Sequence, residues 1–443
     1  MGRIGAVAAG HAARTAGTRA ANLVRGEEQG SVALGRQHIE TAERIVTVLG
    51  TMKGAAMKIG QTFSVLDIGM VPEEYREEFQ RKLATLQASA EPAPFRDIKR
   101  VVEQDLGEKL EREFADFSRE PIAAASIGQV HRATLKDGRD VAVKVQYPGI
   151  REAVRADLQN LGIILKLLAR ISPGLDTREI ADEIRTRIAE ELDYELEAQN
   201  QRAMARRYRE HPFVYVPDPV TELCRERMIV SEFVPGDRFD AILDRSEEER
   251  SRFGEILMRF YVNGPFRHRL LNGDPHPGNS LFMAGGRVGF IDFGFFKTLT
   301  VEELDVQRAL LQAVYAHDAE RLFEISHEQG IVSQGGEAQV AQLMRLYRTL
   351  CGWFMEDREV TITPDIATQA IIEQGNMRRG GFGEIRLPAD QVVAARAYML
   401  VLAILGQLAA TNNWFRIGRE ELFGDEPLTE LGRAEADWLA VAA

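Results

Sequence analysis

The chain has 443 residues, 45% of them hydrophobic, enough to bury a sizeable core in about two or three domains. Its net charge of -12 argues against the clustered Lys and Arg with which proteins displace phosphate counterions, so no nucleic-acid partner is expected. The two cysteines, Cys224 and Cys351, have no second pair and no His cluster beside them, which excludes a disulfide framework or zinc site and points to a reducing, cytoplasmic compartment.

Met1–Arg25 is rich in Ala and Gly, carries Arg3, Arg14, Arg19 and Arg25, and has no acid before Glu27. The composition fits a transit peptide or membrane-surface helix but lacks the apolar core of a secretory signal, and a frayed terminus is expected. From His38 to Leu66 apolar residues recur at helical spacing, with Lys58 and Gln61 on one face; the residues alone favour a solvated pair. Pro72 opens another helix whose first turn, Glu73-Glu74, is acidic as the helix dipole prefers. Pro92–Pro94 reads as a linker and Phe95–Leu106 as a helix, so residues 1–117 are expected to form a helical extension.

From Pro121 the pattern becomes that of strands: Ile122–Ile127, Val130–Leu135, a Lys136-Asp137-Gly138 turn, and Asp140–Val145. Lys144 stands where the Lys of a V-A-I-K strand reaches nucleotide phosphates. The loop that would cover those phosphates, Ala123-Ala124-Ala125-Ser126, has Cβ atoms where a glycine-rich loop lets backbone N–H groups approach, so unusual nucleotide handling is expected, with a plain hairpin as the alternative. A helical insertion follows Pro148-Gly149, and a long helix is predicted from Thr177 to about Arg209. On a continuous helix Asp193 and Glu197 share a face while Glu191 is turned away from Glu197, although an acidic solvated face explains these residues equally. Val214–Val220 and Met228–Val234 complete a sheet-bearing region over 118–234, and Pro235-Gly236 marks a hinge.

A helix over Ser246–Val262 leads to NGDPHPGNSLFMAGGRVGFIDFG at Asn272–Gly294. Leu281–Met283 and Val288–Ile291 read as a hairpin around Gly285-Gly286, which supplies the positive φ of a tight turn and brings Asn279 near Asp292. Asp and Asn are hard oxygen ligands suited to Mg²⁺ held with nucleotide phosphates, leaving Asp274 to position an attacking group, as in a kinase catalytic loop followed by D-F-G. Only Phe295–Leu299 separates this stretch from a capping box at Thr300-Val301-Glu302-Glu303, too little for an activation segment that docks peptides. Residues 235–443 are otherwise expected to be helical, apart from a glycine-rich loop at Asn376–Pro388. The longest apolar run, Ala397–Leu405, is too short to span a bilayer, so no transmembrane segment is expected.

KIGQ at Lys58–Gln61, AAASIGQV at Ala123–Val130, VAVKVQYPG at Val141–Gly149, ELDYELE at Glu191–Glu197, DPHPGN at Asp274–Asn279 and IDFG at Ile291–Gly294 together resemble the UbiB/AarF family of atypical kinases. The resemblance runs from about Ile45 to Thr300 and implies an α+β, bilobal, protein-kinase-like fold: a small sheet-bearing N-lobe, a mostly helical C-lobe, and an N-terminal helical extension packed over the active site. It also implies that Lys144 pairs with Glu197, and that Glu191 and Asp193 face Lys58 and Gln61 as a gate. The expected cofactors are ATP or ADP with Mg²⁺, in an atypical kinase or ATPase that serves isoprenoid-quinone or other lipid metabolism. A lipid or quinone-intermediate ligand and peripheral membrane contact go with that role, while the oligomeric state is left open. The rivals are a small-molecule phosphotransferase, since GDPHPGN also resembles the loop of aminoglycoside and choline kinases, and a non-catalytic nucleotide-binding scaffold.

Overall fold

The computed structural model describes residues 92–158, 185–186, 188–332, 337–377 and 389–442. Lys58 and Gln61, the helix predicted at Pro72, and the glycine-rich GGFG loop lie outside the described residues. The chain divides into two units: residues up to Glu195 with Val220–Val230, and Leu196–Pro219 with Ser231–Ala443.

The first unit is a five-stranded sheet with a helix on one face. The strands β1 (Phe114–Phe117), β3 (Gly128–Leu135), β4 (Asp140–Gln146) and β6 (Met228–Glu232) lie in that order, and the short β2 (Ala123–Ala124) pairs with β3. Val141, Val143 and Val145 alternate along β4 and are wholly buried against Ile98, Val101 and Val102 of the helix Phe95–Leu106, as a period of two requires. That helix stops at Gly107, whose φ of 76° lets its N–H return to the Glu103 carbonyl. The expected domain limit after residue 117 therefore cuts through one hydrophobic core. Phe114–Phe117 is a strand; an irregularity in its pairing between Phe114 and Asp116 breaks the alternation, so it did not read as one.

A further correction concerns the acidic helix. It is interrupted at Leu192 and Asp193, and a new helix starts at Tyr194 and runs to Arg207. The Tyr194 N–H bonds to the Glu226 carbonyl at 3.2 Å instead of continuing the ladder. The Leu192 carbonyl in turn accepts from Gln146 Nε2 at 2.8 Å and from Arg151. Asp193 and Glu197 thus do not belong to one continuous helix.

In the second unit β8 (Ser280–Met283) and β9 (Arg287–Phe290) form the predicted antiparallel hairpin, with φ of 76° at Gly285 and 70° at Gly286. Here β5 (Val214–Tyr215) pairs parallel to β9, so this segment belongs to the hairpin's sheet and not to the first unit's sheet. The helix opening with a Ser246–Glu249 capping box ends at Met258 and passes into a π turn, Arg259–Asn263, where a regular helix was expected. Three consecutive buried residues there divide between an aromatic ring and a charged cluster. Phe260 stacks on Phe290 at 3.7 Å, Tyr261 meets the same ring edge-on, and Arg259 turns into a charged cluster. The run Ala397–Leu405 sits inside the helix Ala389–Leu408 with Ala397, Val401, Leu402 and Leu405 fully or nearly fully buried, and no helix among the described residues is long and apolar enough to cross a membrane.

Arg259 has no exposed side-chain surface and donates to Glu255 (2.8 Å), Glu420 (2.8 Å), Glu435 (2.9 Å) and Thr429 (3.1 Å). Burial alone would lower its pKa, but Glu255, Glu435 and Glu420 outweigh burial and hold it charged. Glu420 and Glu435 belong to the helices Trp414–Phe423 and Glu430–Ala442, so this one guanidinium fastens the C-terminal helices to the helix that precedes the hairpin. Arg259→Leu strands its carboxylates in a buried site and is expected to lower the unfolding free energy by about 3–5 kcal/mol in urea titrations. A loss below about 1 kcal/mol would mean that the cluster is not a clamp.

Candidate active site

The hairpin brings together residues that lie 13 to 18 positions apart. The Ile291 N–H donates to the Asn279 carbonyl at 3.0 Å, in continuation of the Ser280–Phe290 pairing, and this sets Asn279 opposite the residue before Asp292. Asp274 and Asn279 also meet directly: Asn279 Nδ2 donates to the Asp274 carbonyl at 3.1 Å and to its Oδ2 at 3.3 Å. With its NH₂ engaged there, the amide leaves Oδ1 as the atom it can offer to a cation. Asp292 Oδ1 accepts from the Gly294 N–H at 3.1 Å, which helps fix the carboxylate.

Glu197 joins this group. A Cβ built on Gly294 would lie 3.5 Å from both Asp292 Oδ1 and Glu197 Oε2, so both carboxylates border Gly294. Glu197 is 4% exposed, whereas Asp274, Asn279 and Asp292 are half-buried and accessible from outside. Oxygen donors from Asn279 and Asp292, beside a further carboxylate, suit a hard cation held together with phosphate oxygens. Among the described residues no cluster of three or more His, Cys, Asp or Glu offers a softer or all-protein metal site.

Behind the site lie residues that sequence reasoning passed over. Asn272, 3% exposed, accepts from the Asp274 N–H at 3.1 Å and donates to the Asp292 carbonyl at 2.8 Å, so one side chain spans both acidic loops. Asn200 donates to the Phe293 carbonyl at 3.2 Å. Tyr261 is buried beneath the loops, and its pKa is raised far above the usual phenol value by burial and then by the charges of Asp274 and Asp292. The sequence signal at Asn272 was an Asn-Gly pair, which reads as a turn former.

Past Gly294 the chain turns back at once. Strand β10 (Phe296–Thr298) pairs antiparallel with β7 (Leu270–Asn272), and the Thr300–Glu303 capping box opens the next helix. The segment after the DFG tripeptide is therefore tied to the strand just before Asp274.

The remaining candidates lie in the first unit. Ala123 and Ala124 pair with Val130 and Gln129, and the Ala125 N–H closes the turn onto the Gly128 carbonyl at 2.8 Å. That amide is consumed inside the hairpin, and no residue from Ala123 to Gly128 has positive φ, so the loop is a short hairpin bend, unlike a glycine-rich phosphate cradle. Ser126 lies at its tip. Lys144 lies opposite Val130 on the β4 face that points away from the valine core. Glu191 precedes the helix break and Asp193 lies within it, both half-buried.

A sheet-bearing unit with a central lysine and a mostly helical unit with a D-x-x-x-x-N and D-F-G hairpin define a bilobal, protein-kinase-like α+β fold. The ABC1 atypical kinase-like domain matches residues 85–326, more than half of the chain, and the chain belongs to that family. It is 33% identical over 288 residues to the mitochondrial atypical kinase COQ8B of Rattus norvegicus, covering 65% of this chain and 54% of that protein. It is 33% identical over 303 residues to the chloroplastic protein Activity of BC1 complex kinase 8 of Arabidopsis thaliana, covering 66% and 39%. The chain thus spans roughly half or less of these curated relatives. Among solved structures it is similar to the Rv3197–erythromycin complex from Mycobacterium tuberculosis, with TM-score 0.65 and 31% identity over 90% of this chain and 98% of that one.

Asn272→Ala removes no candidate ligand but leaves the Asp274 amide and the Asp292 carbonyl without their partner. The expected outcome is a stability loss of about 1–3 kcal/mol together with a weakened Mg²⁺ dependence of nucleotide binding. Wild-type metal dependence in a destabilised Asn272→Ala would separate this residue from the site.

Proposed function

We propose that this protein binds a magnesium nucleotide and acts as an atypical kinase or ATPase that serves isoprenoid-quinone or other lipid metabolism. The observation that carries the proposal is the paired geometry of Asn279 and Asp292, with the Asn279 amide turned by Asp274 so that its oxygen is available. In this reading Asn279 and Asp292 hold the metal, and the bound Mg²⁺ offsets the phosphate charge. Asp274 orients the attacking hydroxyl or water, Lys144 contacts the phosphates, and its pairing with Glu197 is retained from the family resemblance. Ala123–Ser126 border the nucleotide. By the same family resemblance Lys58 and Gln61, with Glu191 and Asp193, form a gate that a lipid or partner displaces.

The short return from Gly294 to β10 supports a non-peptide acceptor, because nothing between Asp292 and the helix at Val301 is long enough to dock a polypeptide. The similar protein solved with erythromycin keeps a small-molecule acceptor as the second reading.

Ligand at a hundredfold excess over its dissociation constant is expected to stabilise the fold by about 2.7 kcal/mol in thermal-shift measurements, with a metal-dependent part that Asp292→Asn removes. An unchanged shift in that variant overturns the metal assignment. ATP turnover that rises with lipid vesicles, without phosphate transfer to added proteins, fits the lipid reading. Turnover that instead tracks a soluble hydroxyl compound favours the second reading, and Asp274-dependent phosphorylation of a generic protein contradicts both.

A further inference from the structure

Lys144 and Gln146 share the face of β4 opposite the valine core, and Val130 and Gly128 are their partners on β3. The helix break at Leu192–Asp193 lies against this face. Gln146 Nε2 holds the Leu192 carbonyl at 2.8 Å, Arg151 holds the same carbonyl, and the Glu226 carbonyl takes the Tyr194 N–H at 3.2 Å and Gln146 Nε2 at 3.3 Å. These contacts fix the backbone on both sides of Asp193 and thereby aim Tyr194. Its ring is 1% exposed, and Lys144 Nζ lies 5.2 Å from the ring centroid. The hydroxyl end reaches β3 so closely that a Cβ on Gly128 would come within 2.9 Å of Tyr194 Oη and 2.3 Å of the Val145 carbonyl.

An aromatic face attracts an ammonium within about 6 Å of its centroid, and more strongly where water is excluded. A lysine has a long stem with many rotamers, so a fixed buried ring beside its head removes wrong orientations before a ligand arrives. We propose that Tyr194 is a positioning residue: its ring is a platform that holds the Lys144 ammonium ready for nucleotide phosphate, and Gln146 and Arg151 lock that platform through the break at Leu192. The proposal rests on the reading that Lys144 contacts phosphate. Tyr194 acts only through Lys144 and touches no nucleotide itself.

The test varies the electronics of the ring while keeping its shape. Phenylalanine and its mono-, di- and trifluoro analogues are placed at position 194 of the full chain, with and without Lys144→Ala, and Mg-ADP is titrated calorimetrically. Tyr194→Phe is expected to bind within about twofold of the unaltered chain, and affinity is expected to fall stepwise with fluorination, reaching about three- to tenfold. The series is expected to be flat in the Lys144→Ala background, since contacting residues are not additive. A flat series with Lys144 present, or an equal fall without it, overturns the proposal while leaving the phosphate role of Lys144 standing. Unchanged ADP affinity in Lys144→Ala alone overturns that role and the platform with it.

Discussion

The arrangement of the second unit depends on the hydrogen bond from Ile291 N–H to the Asn279 carbonyl, which extends the β8–β9 ladder past its last pair. A hairpin has only one register that buries Phe282, Val288 and Phe290 together, because a one-residue slip would turn these side chains to the other face. Once that register is set, Asn279 stands beside Ile291 and Asp292 follows. Asn272 then bonds both acidic loops from behind, and Gly294 returns its N–H to Asp292. The polar site is therefore a consequence of apolar packing: the phenylalanine contacts under the sheet fix where the oxygen donors fall.

Behind the hairpin the π turn at Arg259–Asn263 places Phe260 on Phe290, while Arg259 gathers carboxylates from the C-terminal helices. Buried ion clusters contribute little net stability compared with apolar replacements, yet they are unforgiving of the loss of one partner. Such a cluster favours one docking arrangement of the terminal helices over others. It thereby backs the hairpin that carries the candidate site, as a site that must hold donors to within a fraction of an ångström requires.

Local chemistry was legible in the sequence wherever neighbouring residues decide it. Gly285-Gly286 announced the turn, Thr300 with Glu303 announced the helix start, and the strand pattern at Asp140–Val145 announced the element that carries Lys144. Distant partners left no such signal. The break at Leu192–Asp193 is made by Gln146 and Arg151, more than 40 residues earlier, and by the Glu226 carbonyl, so the periodicity ran straight through it. The strand expected over Val214–Val220 is limited to Val214–Tyr215, and its partner β9, more than 70 residues on, decides which sheet it joins. Asn272 looked like a turn residue because its value lies in bonds to Asp274 and Asp292, which only the folded hairpin brings within reach.

The most direct test of the central claim, that Asn279 and Asp292 converge to hold a metal nucleotide, is electron paramagnetic resonance of Mn²⁺ substituted for Mg²⁺. With ADP present, one Mn²⁺ per chain should show ³¹P coupling to the nucleotide phosphates, and both the binding and the coupling should be lost in Asn279→Ala and in Asp292→Asn. An Mn²⁺–ADP signal that survives unchanged in both variants would contradict the account.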